Sequence, residues 1–190
     1  MLTLNKVNLR GEAFDPGRRI RGGPMAVPEE HRAHGPVSVK CAVITISDSR
    51  TEATDSSGKL MKDLLLRAGH TVLFYVVVKD DGKAIADAVE QASWTCDVII
   101  TNGGTGLGRR DVTVPTLAPL MERPLPGFGE LLRVLSYQAI GSPAMLTGAL
   151  AGVYHGRLLF CLPGSPDACR LAMEALILPE VGHAIGVMKR

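Results

Sequence analysis

Between Val39 and Leu178, short β-branched runs alternate with stretches of helical periodicity, and this alternation restricts the fold more than any other feature of the chain. The runs lie at 39–46 (VKCAVITI), 71–78 (TVLFYVVV), 97–101 and 157–162 (RLLFCL), with helices predicted over 56–68, 83–93, from about Phe128, and from Asp167 to Leu178. Strands that are apolar along most of their length are covered on both faces, so the expected architecture is α/β, a mostly parallel sheet with covering helices. Asp55 or Ser56 is placed to cap the first helix, Gly69 to end it, and Leu60, Leu64 and Leu65 mark its apolar side. Pro115 can open a short helix, and Phe128, Leu131, Leu132 and Leu135 follow the spacing of a core-facing stripe. Residues 152–157 (GVYHGR) read as a hairpin turn.

The folded domain is expected over residues 37–190. Residues 1–36 hold five glycines, four prolines and many charges without sustained periodicity, which describes an extension lacking its own core. With 46% hydrophobic and 21% charged residues, the rest suits one soluble domain. A net charge of +2 spread along the chain and 4% aromatic content supply no nucleic-acid surface. No apolar run approaches the roughly eighteen residues of a membrane span, and the start lacks a secretory pattern, so a cytoplasmic protein with no membrane partner is expected. Cys41, Cys96, Cys161 and Cys169 show no metal or redox spacing and read as buried reduced thiols; His31 and His34 alone would make a weak metal pair.

Four polar loops follow the strands: TISDSRT, KDDGKA, TNGGTGLGRRDVT and PGSPDAC. Parallel strands bring their carboxyl ends to one edge, so these loops can assemble a single pocket. The third carries four glycines, three hydroxyl side chains, two arginines and a carboxylate within residues 101–113. Gly103, Gly104, Gly106 and Gly108 allow positive φ and close backbone approach to phosphate oxygens, Arg109 and Arg110 add charge, and Asp111 can hold a metal. A side chain at Gly104 is therefore expected to harm ligand binding more than stability. The loop fits neither G-x-G-x-x-G nor a Walker A pattern. Plainer roles stay open. Asp80 and Asp81 suit an acidic turn before a helix, Asp111 a cap, Ser47 and Asp48 a strand end, and Glu130 a helix N-terminal charge.

Taken in order, TISDSRT, DSSGKLMKDLLLRAGH, VKDDGKAI, TNGGTGLGRRDVT, PGFGELLRVLS, AGVYHGRLLF and PGSPDACR resemble the MoaB/Mog family of molybdopterin adenylyltransferases, and the MoaB branch more closely. The resemblance implies a three-layer α/β/α molybdopterin-binding fold, assembled as homotrimers or homohexamers. It also implies transfer of AMP from ATP to the terminal phosphate of molybdopterin, with Mg²⁺ and release of pyrophosphate. Carried over, the family pattern puts Mg²⁺–ATP positioning on Asp81, with Asp80 as the alternative register, and on Asp111. It lines the substrate pocket with Ser47, Asp48, Gly103, Gly104, Thr105, Gly106, Arg110, Pro163, Gly164 and Ser165, and adds Glu130 and Ser136. Contact with the downstream molybdenum-inserting protein is a further expectation. Asn102 replaces a common threonine, and Val114 displaces the usual proline to Pro115; neither change removes a charged group. A non-catalytic molybdopterin carrier would keep the glycine loop but would not need the two carboxylates.

Overall fold

A computed structural model describes residues 38–189; the extension expected over 1–36 lies outside them. The strands are β1 (Lys40–Ile46), β2 (Thr71–Val78), β3 (Val98–Asn102), β4 (Arg123–Pro124), β5 (Leu150–Tyr154) and β6 (Arg157–Leu162). The helices are α1 (Ser56–Arg67), α2 (Gly82–Ser93), α3 (Thr113–Leu117), α4 (Pro126–Ile140), α5 (Pro166–Ala172) and α6 (Leu178–Met188). One sheet runs in the order β2-β1-β3-β6-β5-β4. Its first four members are mutually parallel, and β5 runs antiparallel to both its neighbours, β6 and β4. The expected α/β architecture is present, and the carboxyl ends of β1, β2, β3 and β6 share one edge.

Period-two alternation divides the core between the two faces of the sheet. Cys41, Val43, Val98 and Ile100 point toward Met61 and Leu65 of α1, Leu132 of α4, and Cys169, Ile177 and Ile185 along α5 and α6. Ala42, Ile44 and Ile99 meet Ile85 and Val89 of α2 and Leu117 of α3 on the other side. Each large apolar side chain buried this way stabilises the fold by roughly 1.5–3 kcal/mol. The three layers follow directly, because β1 and β3 have no polar face to offer solvent.

Local signals explain most boundaries. The Asp55 carboxylate caps α1 by accepting from the Gly58 N–H at 2.9 Å. His155 and Gly156 have φ of 46° and 68°, the pair of left-handed residues that a two-residue hairpin between twisted strands requires. Helix α3 begins at Thr113, so Pro115 sits in its first turn rather than opening it.

Two expectations are corrected. On α4, Phe128 and Leu132 are buried and Leu135 is half-buried, but Leu131 is 55% exposed. The buried stripe is narrower and continues through Ser136, because this helix packs mainly over β5, with Phe128 reaching Phe160 of β6. The last helix does not stop at Leu178. Met173–Ile177 forms a π turn in which the Leu178 N–H reaches back to the Met173 carbonyl, so Pro179 enters as the first turn of α6, where its missing N–H costs nothing. The continuous run Pro166–Met188 is long and apolar enough by composition to cross a membrane, yet Cys169, Ala172, Met173, Ile177, Val181 and Ile185 belong to the core. Strand β4 and the 3₁₀ segment Ser142–Leu146 had no counterpart in the sequence reading.

Ile44 is fully buried in the central layer. Ile44→Ala is expected to lower unfolding free energy by about 2–5 kcal/mol, measured by urea denaturation.

Candidate functional site

A cleft of about 670 Å³ opens where the strand ends converge. Ser47, Ser49 and Arg50 line it from the loop after β1, Asp80 from the loop after β2, and Pro163–Pro166 from the loop after β6. Gly103–Gly106 and Asp111 form its floor after β3, and Pro143, Leu146, Thr147 and Gly148 make the facing wall.

The floor is shaped by contacts within the protein. Gly103 has φ +97°, and its N–H donates to the Leu162 carbonyl at 3.0 Å; a Cβ there would enter the Ile46 carbonyl. Gly104 has φ +62°, and a Cβ would collide with Thr113 Oγ1 and lie 2.8 Å from Asp80 Oδ1. Thr113 ties the turn by donating its hydroxyl to the Gly103 carbonyl at 2.8 Å and its N–H to the Gly104 carbonyl at 2.9 Å. A side chain at Gly104 is thus destabilising in its own right, so a stability loss accompanies the expected harm to ligand binding. Gly106 and Gly108 do not adopt positive φ; they make room for Asp111, whose Oδ2 would be 2.9 and 2.7 Å from their added Cβ atoms. Asp111 both closes its loop, accepting from the Gly108 N–H at 2.8 Å, and lines the cleft.

Of the two adjacent carboxylates after β2, only Asp80 lines the cleft. Asp81 is exposed and caps α2, accepting from the Ala84 N–H at 2.9 Å. Burial, then the charge of Asp48, with a further contribution from Asp111, holds the Asp80 carboxyl above its ordinary range. Asp48 and Arg110 sit outside the lining set, joined by bonds of 3.0 and 2.6 Å from Nε and Nη2 to Oδ2. That pairing holds the Asp48 carboxyl below its ordinary range. Asp48 also accepts from the Asp80 N–H at 3.3 Å, so this clasp joins the loops after β1, β2 and β3. Glu130 is exposed and Ser136 buried on α4, and neither lines the cleft.

Beneath the cleft lies a polar network that the sequence reading saw only as a helix cap. The Asp55 carboxylate, 2% exposed, accepts from the hydroxyls of Thr45 at 2.5 Å and Tyr75 at 2.9 Å as well as from Gly58. Asn102 donates to Thr45 Oγ1 at 2.7 Å, a link the usual threonine would not make in the same way. Arg50, Ser57 and the Gly164 carbonyl extend the network to the loop after β6. Ser49, Arg50 and the wall at 143–148 are site residues that sequence reasoning missed. Within that wall Gly148 packs so closely that a Cβ would run into the Thr105 carbonyl.

Asp80 and Asp111 place two carboxylates in one cleft, where burial first and then the neighbouring carboxylates hold the Asp80 carboxyl above its ordinary range. Among the described residues no three His, Cys, Asp or Glu side chains come together to hold a metal unaided. Such a pair suits Mg²⁺, which keeps several waters and shares phosphate oxygens with its substrate.

Residues 42–183 match the family described as "Probable molybdopterin binding domain". Molybdenum cofactor biosynthesis protein B of Bacillus anthracis is 49% identical over 157 residues, covering 81% of this chain and 93% of that protein. The protein of the same name from Bacillus subtilis is 44% identical and covers 85% and 97%. Among solved structures, a Molybdenum cofactor biosynthesis protein B superposes with a TM-score of 0.79 at 47% identity, covering 82% and 98% of the two chains. The tungsten cofactor synthesizing protein MoaB from Pyrococcus furiosus gives 0.75 at 35% identity, covering 82% and 99%.

A carboxyl group whose folded value is raised stabilises the fold while protonated, and that contribution is lost as pH rises through the folded value. Asp80→Asn is therefore expected to melt above the wild type at neutral pH without divalent cations, the gap closing as pH falls toward 3.8, the ordinary Asp80 value. Differential scanning calorimetry across that range tests this; a variant that melts lower at neutral pH contradicts the electrostatic account.

Proposed function

This chain belongs to the MoaB/Mog family of molybdenum cofactor biosynthesis proteins, on its MoaB branch, and from that membership we propose that it is a molybdopterin adenylyltransferase. The reaction we assign is attack by a terminal phosphate oxygen of molybdopterin on the α-phosphorus of ATP. A new P–O bond forms, the bond to the β-phosphate oxygen breaks, and pyrophosphate leaves with the electron pair. The observation that carries this reading is Asp80 and Asp111 facing one cleft at the mouth of the glycine loop.

Phosphoryl-group transfer asks a protein for alignment and charge compensation rather than covalent chemistry. Bound Mg²⁺ would neutralise the phosphate oxygens. Asp80 and Asp111 are the residues that would hold it, and Asp80 takes the role the sequence reading gave to Asp81, whose carboxylate is engaged in capping α2. Thr105 and Ser165 offer hydroxyls along the lining, while the left-handed turn at Gly103 and Gly104 bends the backbone around the nucleotide phosphates. Pro143 and Leu146 provide an apolar wall for a flat heterocycle.

The assembly we propose is a homotrimer or homohexamer. Leu131, Val134, Tyr137 and Ile140 recur every three residues along α4 and are each more than half exposed. Met145 and Leu146 extend this apolar surface to the cleft wall. Exposed apolar side chains in such number on one helix and the segment after it are what subunits bury against one another. Light scattering should show a trimer or hexamer for the wild type and a smaller species for Val134→Asp/Ile140→Asp; a monomeric wild type would refute the assembly.

Adenylyl transfer is measured as pyrophosphate release with chromatographic detection of adenylylated pterin. Asp80→Asn and Asp111→Asn are each expected to slow it on the order of 100-fold. Asp81→Ala should instead cost about 1 kcal/mol of stability through the lost cap and keep turnover. The opposite pattern returns the metal role to Asp81, and pterin binding without product makes the chain a carrier.

A further inference from the structure

Among the described residues, Arg50 is the sole lysine or arginine lining the cleft. Arg110, the arginine expected there, is committed to Asp48 at the rim. The Arg50 backbone is set by the loop after β1, where its N–H donates to Ser47 Oγ at 3.1 Å. Its side chain is 31% exposed and held along one edge only. Nη1 donates to Ser57 Oγ at 3.1 Å and to the Gly164 carbonyl at 3.2 Å, and lies 3.7 Å from Asp55 Oδ1.

The rest of the guanidinium, Nε and Nη2, has no partner among the described residues. Those atoms form the planar fork that matches two oxygens of a phosphate group. The carboxylate that anchors the opposite edge is fully buried and is itself fixed by Thr45, Tyr75 and Gly58, so the fork is aimed before any ligand arrives. Asp80 and Asp111 repel an uncompensated anion, which leaves Arg50 as the lining group that attracts one.

We propose that Arg50 docks a terminal phosphate group of the anionic ligand through its Nε–Nη2 edge, with Asp55 as the positioning residue that aims it. This deepens the adenylyltransferase reading and rests on it for the identity of the ligand. The phosphate can come from the pterin or from the nucleotide, and the two sources share this chemistry.

The test uses the full-length protein as wild type, Arg50→Gln, Arg50→Lys, Asp55→Asn and the Arg50→Gln/Asp55→Asn double variant. Calorimetric titrations employ inorganic phosphate, ATP without metal, molybdopterin and dephosphorylated pterin. Arg50→Gln is expected to weaken phosphate-bearing probes by roughly 10- to 100-fold and to flatten their salt dependence, leaving dephosphorylated pterin unchanged. Arg50→Lys should recover part of the loss, since it keeps the charge without the fork. A loss confined to molybdopterin assigns the pterin source and a loss confined to ATP the nucleotide source; either supports the assignment. Equal losses with and without the phosphate, or unchanged phosphate binding, overturn it.

Asp55→Asn should weaken phosphate binding only while Arg50 is present, and strictly additive effects overturn the positioning role. If Asp55→Asn does not fold, Ser57→Ala, which removes another Nη1 partner, replaces it in the same cycle. Wild-type protein that binds inorganic phosphate through Arg50 yet makes no adenylylated pterin refutes the transferase reading alone. Wild-type turnover with full phosphate affinity in Arg50→Gln refutes this inference alone.

Discussion

A single buried carboxylate, Asp55, holds the working edge of this sheet together. Its oxygens take hydrogen bonds from the end of β1 through Thr45, from β2 through Tyr75, and from the first turn of α1 through Gly58. Asn102 adds β3 by way of Thr45, and Arg50 with Ser57 adds the loop after β6. A charge so deep is costly unless each lone pair is used, and here the bonding is dense enough to offset burial. Even the local backbone conforms, since a Cβ at Gly58 would overlap the carboxylate. Four strand ends are thereby placed in register before any ligand contributes.

The electrostatics of the edge follow from how its charges are shared. Asp48 and Arg110 neutralise one another at the rim and, through the Asp80 N–H, lock the approach of Asp80. Asp80 and Asp111 then line the same cleft as Arg50. The result is a space lined by two carboxylates and one guanidinium, which is the basis for proposing a ligand that brings both phosphate and a divalent cation. Clustering more carboxylates would raise affinity for a bare metal, and among the described residues no such cluster forms.

Strand positions, the alternation of faces and the gathering of polar loops at one edge were legible in the sequence because each rests on local periodicity and on the geometry of parallel strands. Ser47, Gly103–Gly106, Asp111 and Pro163–Ser165 come together for that reason. The choice between Asp80 and Asp81 was not legible: two neighbours of one residue type differ only in which way the backbone turns them, and the α2 cap decides it. Leu131 misled because i, i+3 spacing marks one side of a helix without saying how much of that side is covered. The helix end expected at Leu178 is passed because a widened turn upstream lets Pro179 enter in the first turn of the next helix. The wall at Pro143 and Leu146 lies far along the chain from every recognisable phosphate-loop signal, so only packing reveals it.

At Gly148 the chain leading into β5 passes so close to the Thr105 carbonyl that no side chain fits between them. The separation of floor and wall at this point is therefore set by backbone contact and is closed to side-chain substitution at Gly148. Divergence in what this aperture admits has to be written at the lip, in residues such as Pro143 and Leu146 whose side chains project without supporting the frame. A lineage could retune its choice of heterocycle there while the machinery below stayed constant.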